Sequence, residues 1–177
     1  MQSGFCAYCE CKLRTGHKQI EHFRKRDGFP QLTFQWGNLF GSCKNSSRCG
    51  DYKDTKAGHF ESDNLIKPDE GDLSQHCIFL VTGKIRPKST LKDSSPHDLQ
   101  SVEETLRVFN LNEDPSLVGA RRAAIQRITP QVKELYSCAD SFSDEDWDKF
   151  LVEALKDIED NEFQTALEHT WRYNRTY

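Results

Sequence analysis

Cys6 and Cys9 form a C-x-x-C pair, and Cys43 and Cys49 form a wider C-x5-C pair later in the chain. Two thiol pairs joined by a loop can close a tetrahedral thiolate shell around zinc, with Zn–S bonds of roughly 2.3 Å. The second spacing exceeds the usual two to four residues, so "KNSSR" (Lys44 to Arg48) must bulge as a small loop, which Gly41 and the Asn/Ser content allow. Cys11 is an alternative to Cys9, although C-x-x-C geometry favours Cys6 with Cys9. Cys77 and Cys138 stand in apolar company and read as core thiols. Between the two pairs lies Glu21-His22. A carboxylate suits a hard cation such as Mg²⁺, and a neutral imidazole beside it can take a proton from water; together they suit metal-assisted hydrolysis. Neighbours on a strand face opposite sides, so both reach one site only at a strand end or bend. Taken alone, the dipeptide is more often a surface pair.

Charge is distributed unevenly around these residues. Residues 12–56 carry ten Lys and Arg (Lys12, Arg14, Lys18, Arg24, Lys25, Arg26, Lys44, Arg48, Lys53, Lys56) against four acids, although the whole chain has a net charge of −4. A basic segment in an acidic protein points to a polyanion at one end and another task at the other. No apolar run approaches the ~20 residues of a membrane span. The first residues show no basic-then-apolar signal pattern, so the expected compartment is the cytoplasm. Seven cysteines in a reducing compartment favour metal over disulfides.

The elements that would position these groups fall into three segments of a chain long enough for one domain, or one domain with an appendage. Residues 1–60 form a head rich in Cys, Gly, aromatic and basic residues; 61–95 connect; 96–177 are helical. In the connector, Cys77–Val81 followed by Thr82-Gly83 predicts a short hairpin. Leu99, Val102, Leu106 and Phe109 recur at helical spacing after Pro96. A second helix fits Leu117 to Ile128, either ended by Pro130 or kinked into Gln131–Ser137. Ser143 before Asp144, Glu145 and Asp146 reads as an N-cap, and Trp147, Phe150, Leu151, Ala154, Leu155 and Ile158 follow as one stripe. A last helix is expected over Glu162–Tyr173. Residues 140–162 are strongly acidic and should face away from a polyanion; their apolar stripe should pack on the second helix or dock on a partner. Trp36, Phe34, Phe40 and Phe29 could stack on the bases of a single strand, but such residues more often fill a small core. Trp36 and Phe40 are expected there, and Phe29 stays open because Gly28 and Pro30 put it on a loop. The fold class is α+β.

Four features in order, C-x-x-C, "IEH", "WGNL" and "SC…CGDYKD", resemble the HNH or ββα-metal nucleases. "IEHFRKR", "WGNLFGSC", "LIKPDEGD" and "EETLRVFNLNEDPSLVGARRAAI" extend the resemblance to the HNH proteins of the retron and Septu antiphage systems, of the PtuB type. It implies a zinc-stapled ββα head, His22 as general base, Glu21 as ligand of a catalytic Mg²⁺ or Mn²⁺, and Asn38 bracing the loop. Cys6, Cys9, Cys43 and Cys49 would hold structural zinc. The family's third letter falls at Gly50, which leaves Asp51, then His59, then Asp54 as stand-ins. The implied reaction is phosphodiester hydrolysis, of DNA before RNA. Lys12, Arg14, Lys18, Arg24, Lys25, Arg26, Lys53 and Lys56 would contact phosphates. The implied partners are nucleic acid and an ABC-type ATPase of the PtuA kind, to which the retron likeness adds a reverse transcriptase with its noncoding RNA/DNA. The rival expectation is a zinc-knuckle binding or regulatory subunit without catalysis.

Overall fold

An antiparallel hairpin and the helix laid across it organise the head. In the computed structural model, which describes residues 2–138 and 141–173, β1 (Lys18–His22) pairs with β2 (Leu39–Cys43) in the register Lys18↔Cys43, Ile20↔Gly41 and His22↔Leu39. Residues of a strand alternate between faces. Glu21 is therefore buried toward α1 (Cys49–Thr55), while Ile20 and Lys18 face outward. Ahead of the hairpin, Cys6 N–H donates to Cys11 O at 2.9 Å, which closes the C-x-x-C knuckle, and Ala7 N–H donates to Gly41 O at 3.0 Å, which ties it to β2. The 44–48 segment forms the expected small loop, in which Ser47 N–H donates to the Asn45 side-chain oxygen at 2.8 Å.

After a short helix α2 (Leu73–His76), β3 (Cys77–Phe79) and β4 (Ile85–Pro87) make the expected second hairpin, turned at Gly83 with φ 85°. Helices α3 (Leu91–Ser94), α4 (Pro96–Val108), α5 (Pro115–Ser137), α6 (Asp144–Asp157) and α7 (Gln164–Tyr173) complete the order. Pro130 neither ends nor splits α5, and the last helix starts two residues later than expected, where Glu10 from the knuckle accepts from Thr165 N–H at 3.0 Å. A carboxylate there satisfies free N–H groups of the first turn. Asp140 of the acidic stretch lies outside the described residues. No helix among the described residues is long and apolar enough to cross a membrane.

The head does not stand apart from the helices. One buried cluster runs from Cys6 and Phe23 through Phe109 and Ile125 to Trp171, with the Tyr8 and Phe109 rings stacked at 4.0 Å. The α4–α5 connection carries the joints. Asn110 donates to Ser47 O at 2.7 Å, Asn112 brackets the backbone of Ile85 with two bonds of 2.8 Å, and Asp114 caps α5 while pairing with Arg48 at 2.8 Å. Buried Arg121 donates to Gly83 O at 2.5 Å and to Leu111 O. These polar residues sit where they do because each satisfies backbone groups that the interface removes from water.

Two expectations about packing are corrected, and a third is met in part. Trp36 is 88% exposed, not core, because the single turn Trp36–Asn38 sends Asn38 inward in its place. Cys138 is exposed at the end of α5. The α6 stripe does pack in part on α5, at its C-terminal half, where Tyr136 and Trp147 meet edge to face at 5.0 Å. A groove of about 740 Å³ remains open between them, lined by Ile128, Leu135, Phe150 and Ala154 among others.

Candidate functional site

The four thiols converge. Sγ atoms of Cys6, Cys9, Cys43 and Cys49 lie within 4.8 Å of one another and all four residues are buried. Tetrahedral Zn–S bonds of roughly 2.3 Å place sulfur atoms about 3.8 Å apart, so the cluster fits a zinc ion with minor adjustment. Cys49 reaches it from the start of α1 through a left-handed backbone, φ 57°, with its N–H held by Phe109 O at 2.9 Å. Cys11 lies beside the set, 3.2 Å from Cys9 Sγ, but is not one of the four. Four buried thiols converging in this way are compatible with a structural zinc ion, with Cys11 as a fifth thiol at its edge, and such an ion would tie knuckle, hairpin and helix together.

A second site opens on the other side of the hairpin. A cleft of about 420 Å³ is lined by Gln19, Ile20, Glu21, His22, Lys25, Arg26, Asp27, Asp51 and Asp54. His22 ends β1, and its Nε2 lies 2.9 Å from Thr33 O. A carbonyl can only accept, so Nε2 carries the proton and Nδ1 keeps the lone pair. The loop that supplies Thr33 is fixed by Asn38. The Asn38 side-chain oxygen accepts from Arg24 N–H at 2.8 Å, and its amide donates to Arg24 O at 3.1 Å and Leu32 O at 3.3 Å. This is the geometry of a loop brace.

Glu21 behaves differently from what the sequence suggests. Its carboxylate faces inward, bonded to Lys53 Nζ and the Tyr8 hydroxyl, and both ends of the pair are out of contact with solvent. Burial pushes this carboxyl up, against the pull of Lys53 and Tyr8. Glu21, expected as a cation ligand, stands here as the internal partner of Lys53, although it also lines the cleft beside His22. Lys53, 0% exposed, is corrected from phosphate contact to the counter-charge that also ties down Phe23 O at 3.2 Å. The same pair explains the missing letter: a Cβ at Gly50 would meet Glu21 Cγ at 2.3 Å and Ser42 Oγ at 3.2 Å. An Asn or His there would have to displace Glu21.

Of the stand-ins, Asp51 and Asp54 line the cleft with His22, whereas His59 is exposed elsewhere and pairs with Glu61 at 3.2 Å. Asp27, which sequence reasoning passed over, joins them from the loop after β1. Its only sequence signal was proximity to the Glu-His pair. The cleft carboxylates do not gather into a chelating cluster; among the described residues only the four thiols do. Two helix carboxylates and an imidazole facing one cleft still suit an ion such as Mg²⁺, which takes most of its shell from water and phosphate.

The basic residues separate. Lys25 and Arg26 line the cleft, and Lys18 is exposed on the outward face of β1. Lys56 is exposed beyond α1. Arg24 is held by Asp63 at 2.5 Å and lies over the Phe29 ring, while Arg14 is 4.0 Å from Glu162, toward which the Lys12 N–H also points.

No family model matches the chain. It is 30% identical over 145 residues to the Septu protein PtuB of Bacillus thuringiensis, an alignment that takes in 81% of this chain. The chain spans about half the length of that curated relative. The Septu-type likeness read from the motifs is borne out along most of the sequence.

Proposed function

We propose that this PtuB-like chain is a nuclease subunit of an antiphage defence system, and that His22 is the general base of phosphodiester hydrolysis. The observation that carries the proposal is the cleft itself: a braced imidazole with a free Nδ1, two helix carboxylates and two cations share one opening. Lys25 and Arg26 hold the strand by its phosphates, which orients it without reading sequence. His22 Nδ1 takes a proton from water as the water oxygen bonds to phosphorus and the bond to the 3′ oxygen breaks. Asp51 and Asp54 would hold the Mg²⁺ or Mn²⁺, which when bound supplies Lewis-acid stabilisation of the developing charge. Asn38 acts one step back, keeping Thr33 and hence His22 in place. Cys6, Cys9, Cys43 and Cys49 hold structural zinc. The resemblance supplies the partner, an ABC-type ATPase of the PtuA kind.

A second reading, a regulatory or binding subunit, is favoured by the Glu21–Lys53 pair and by Gly50 at the third letter. Incubation of the purified chain, alone and with its ATPase, with DNA and RNA in Mg²⁺, Mn²⁺ or chelator separates the two. Metal-dependent cleavage supports the nuclease. Nucleic-acid binding without cleavage under every condition supports the regulator.

A further inference from the structure

The loop that braces His22 also presents two aromatic rings to solvent. Phe34 is 93% and Trp36 88% exposed, and Ile20, 73% exposed, adds an apolar surface on the wall of the cleft. Exposed Phe and Trp on one loop are costly unless something covers them. The loop holding them is not loose. Its backbone is turned by two single helical turns, Pro30–Leu32 and Trp36–Asn38, and held by Leu32 O on Asn38, Thr33 O on His22 and the Thr33 hydroxyl on Pro30 O at 2.8 Å. Phe34 follows Thr33 directly, so the aromatic surface begins one residue from the group that orients the base.

Exposed rings carried on the braced loop that orients His22 match a surface for unpaired nucleic acid, where bases stack on aromatics and cations follow the backbone. In a duplex the base faces are already stacked on one another and offer only edges in the grooves. Lys25 and Arg26 stand in the cleft among Glu21, Asp27, Asp51 and Asp54, and Lys18 is exposed on the outward face of β1. These cations offer phosphate contacts along a strand, while the carboxylates leave room for one only where a divalent cation offsets them. We propose that Phe34 and Trp36 are a base-stacking platform, and that the cleft takes single-stranded or locally unpaired nucleic acid. This deepens the nuclease reading and rests on it for the placement of the scissile phosphate beside His22.

The test is a binding measurement in chelator, so that no cleavage intervenes. A fluorescent single-stranded oligothymidylate and a duplex of the same length are titrated with the full chain and with F34A, W36A and W36F. The expected result is tighter binding of the single strand, an about ten- to hundred-fold loss in W36A and F34A for that strand alone, and near-full retention in W36F. Because both rings are solvent-exposed, the variants should keep the thermal transition of the parent. Equal affinity for duplex and single strand, or no change in W36A and F34A, overturns the proposal. So does a result in which these variants lose self-association or the ATPase while keeping the oligonucleotide, since the rings would then be a protein-docking face. A chain that binds this way but never cuts defeats the nuclease reading and leaves the platform standing.

Discussion

Removing the positive end of the buried pair, by Lys53→Met, tests the internal logic of the head. Lys53 Nζ holds the Glu21 carboxylate, the His22 carbonyl and the Phe23 carbonyl, and neither Lys53 nor Glu21 meets solvent. Met keeps the stem and its packing but deletes the charge and three bonds. It strands Glu21 in a site where desolvation already raises its carboxyl. Breaking a buried pair from one side costs about 3–5 kcal/mol. For a chain of this size that corresponds to a fall of about 6–20 °C in Tm, at about 2–4 °C per kcal/mol. Replacing both partners is far milder, so Lys53→Met with Glu21→Gln should recover at least half of the loss, Gln still accepting from the Tyr8 hydroxyl. Denaturant unfolding of the two single variants, the double variant and the parent gives the coupling directly. A loss below about 1 kcal/mol in Lys53→Met, or a double variant no better than the single, would refute the assignment of Glu21 and Lys53 to each other.

Three further outcomes follow from the geometry. Gly50→Ala should destabilise by about 1–3 kcal/mol, because its Cβ must push Glu21 Cγ back from 2.3 Å; an unchanged unfolding midpoint would show that the space is free. Cys49→Ser should lose zinc and the thermal transition together, measured by metal content and calorimetry on the same sample, since binding energy there is folding energy; loss of zinc with an intact transition would contradict this. Burial holds His169 below its ordinary value, with Nδ1 accepting from Phe79 N–H at 3.2 Å. The unfolded chain then takes up the proton first, so this contribution is full above about pH 6.5 and shrinks as pH falls. The Tm gap between parent and His169→Asn should therefore be constant from pH 7 to 8 and narrow below about 6.5; a gap independent of pH would place no titration at His169.

Much of the architecture was legible because it is written in local patterns. The thiol spacings announced the four-sulfur cluster, the Ser143 cap and its acids announced α6, and Thr82-Gly83 announced the second hairpin. What failed depended on which face a side chain takes. Glu21 and His22 are adjacent in sequence but part ways at the strand, and only the helix packed above decides that Lys53 meets the first of them. Trp36 looked like core by type, yet one turn gave the inward position to Asn38. Asp27 gave no motif signal; only the closing of the loop after β1 brings it to the cleft. The ties from Asn110 and Asp114 to the head, and from Asn112 to the second hairpin, are long-range bonds with no periodicity to reveal them.

The central claim is that His22 is the base of a phosphodiesterase. Its most direct test is the single-turnover cleavage rate of His22→Ala against the parent chain, each with the ATPase, Mg²⁺ or Mn²⁺ and single-stranded DNA or RNA. Zinc content and Tm are checked on the same preparations. The account predicts a fall of at least about 100-fold in the variant, with zinc, fold and partner binding retained. Cleavage by His22→Ala at the parent rate would contradict it.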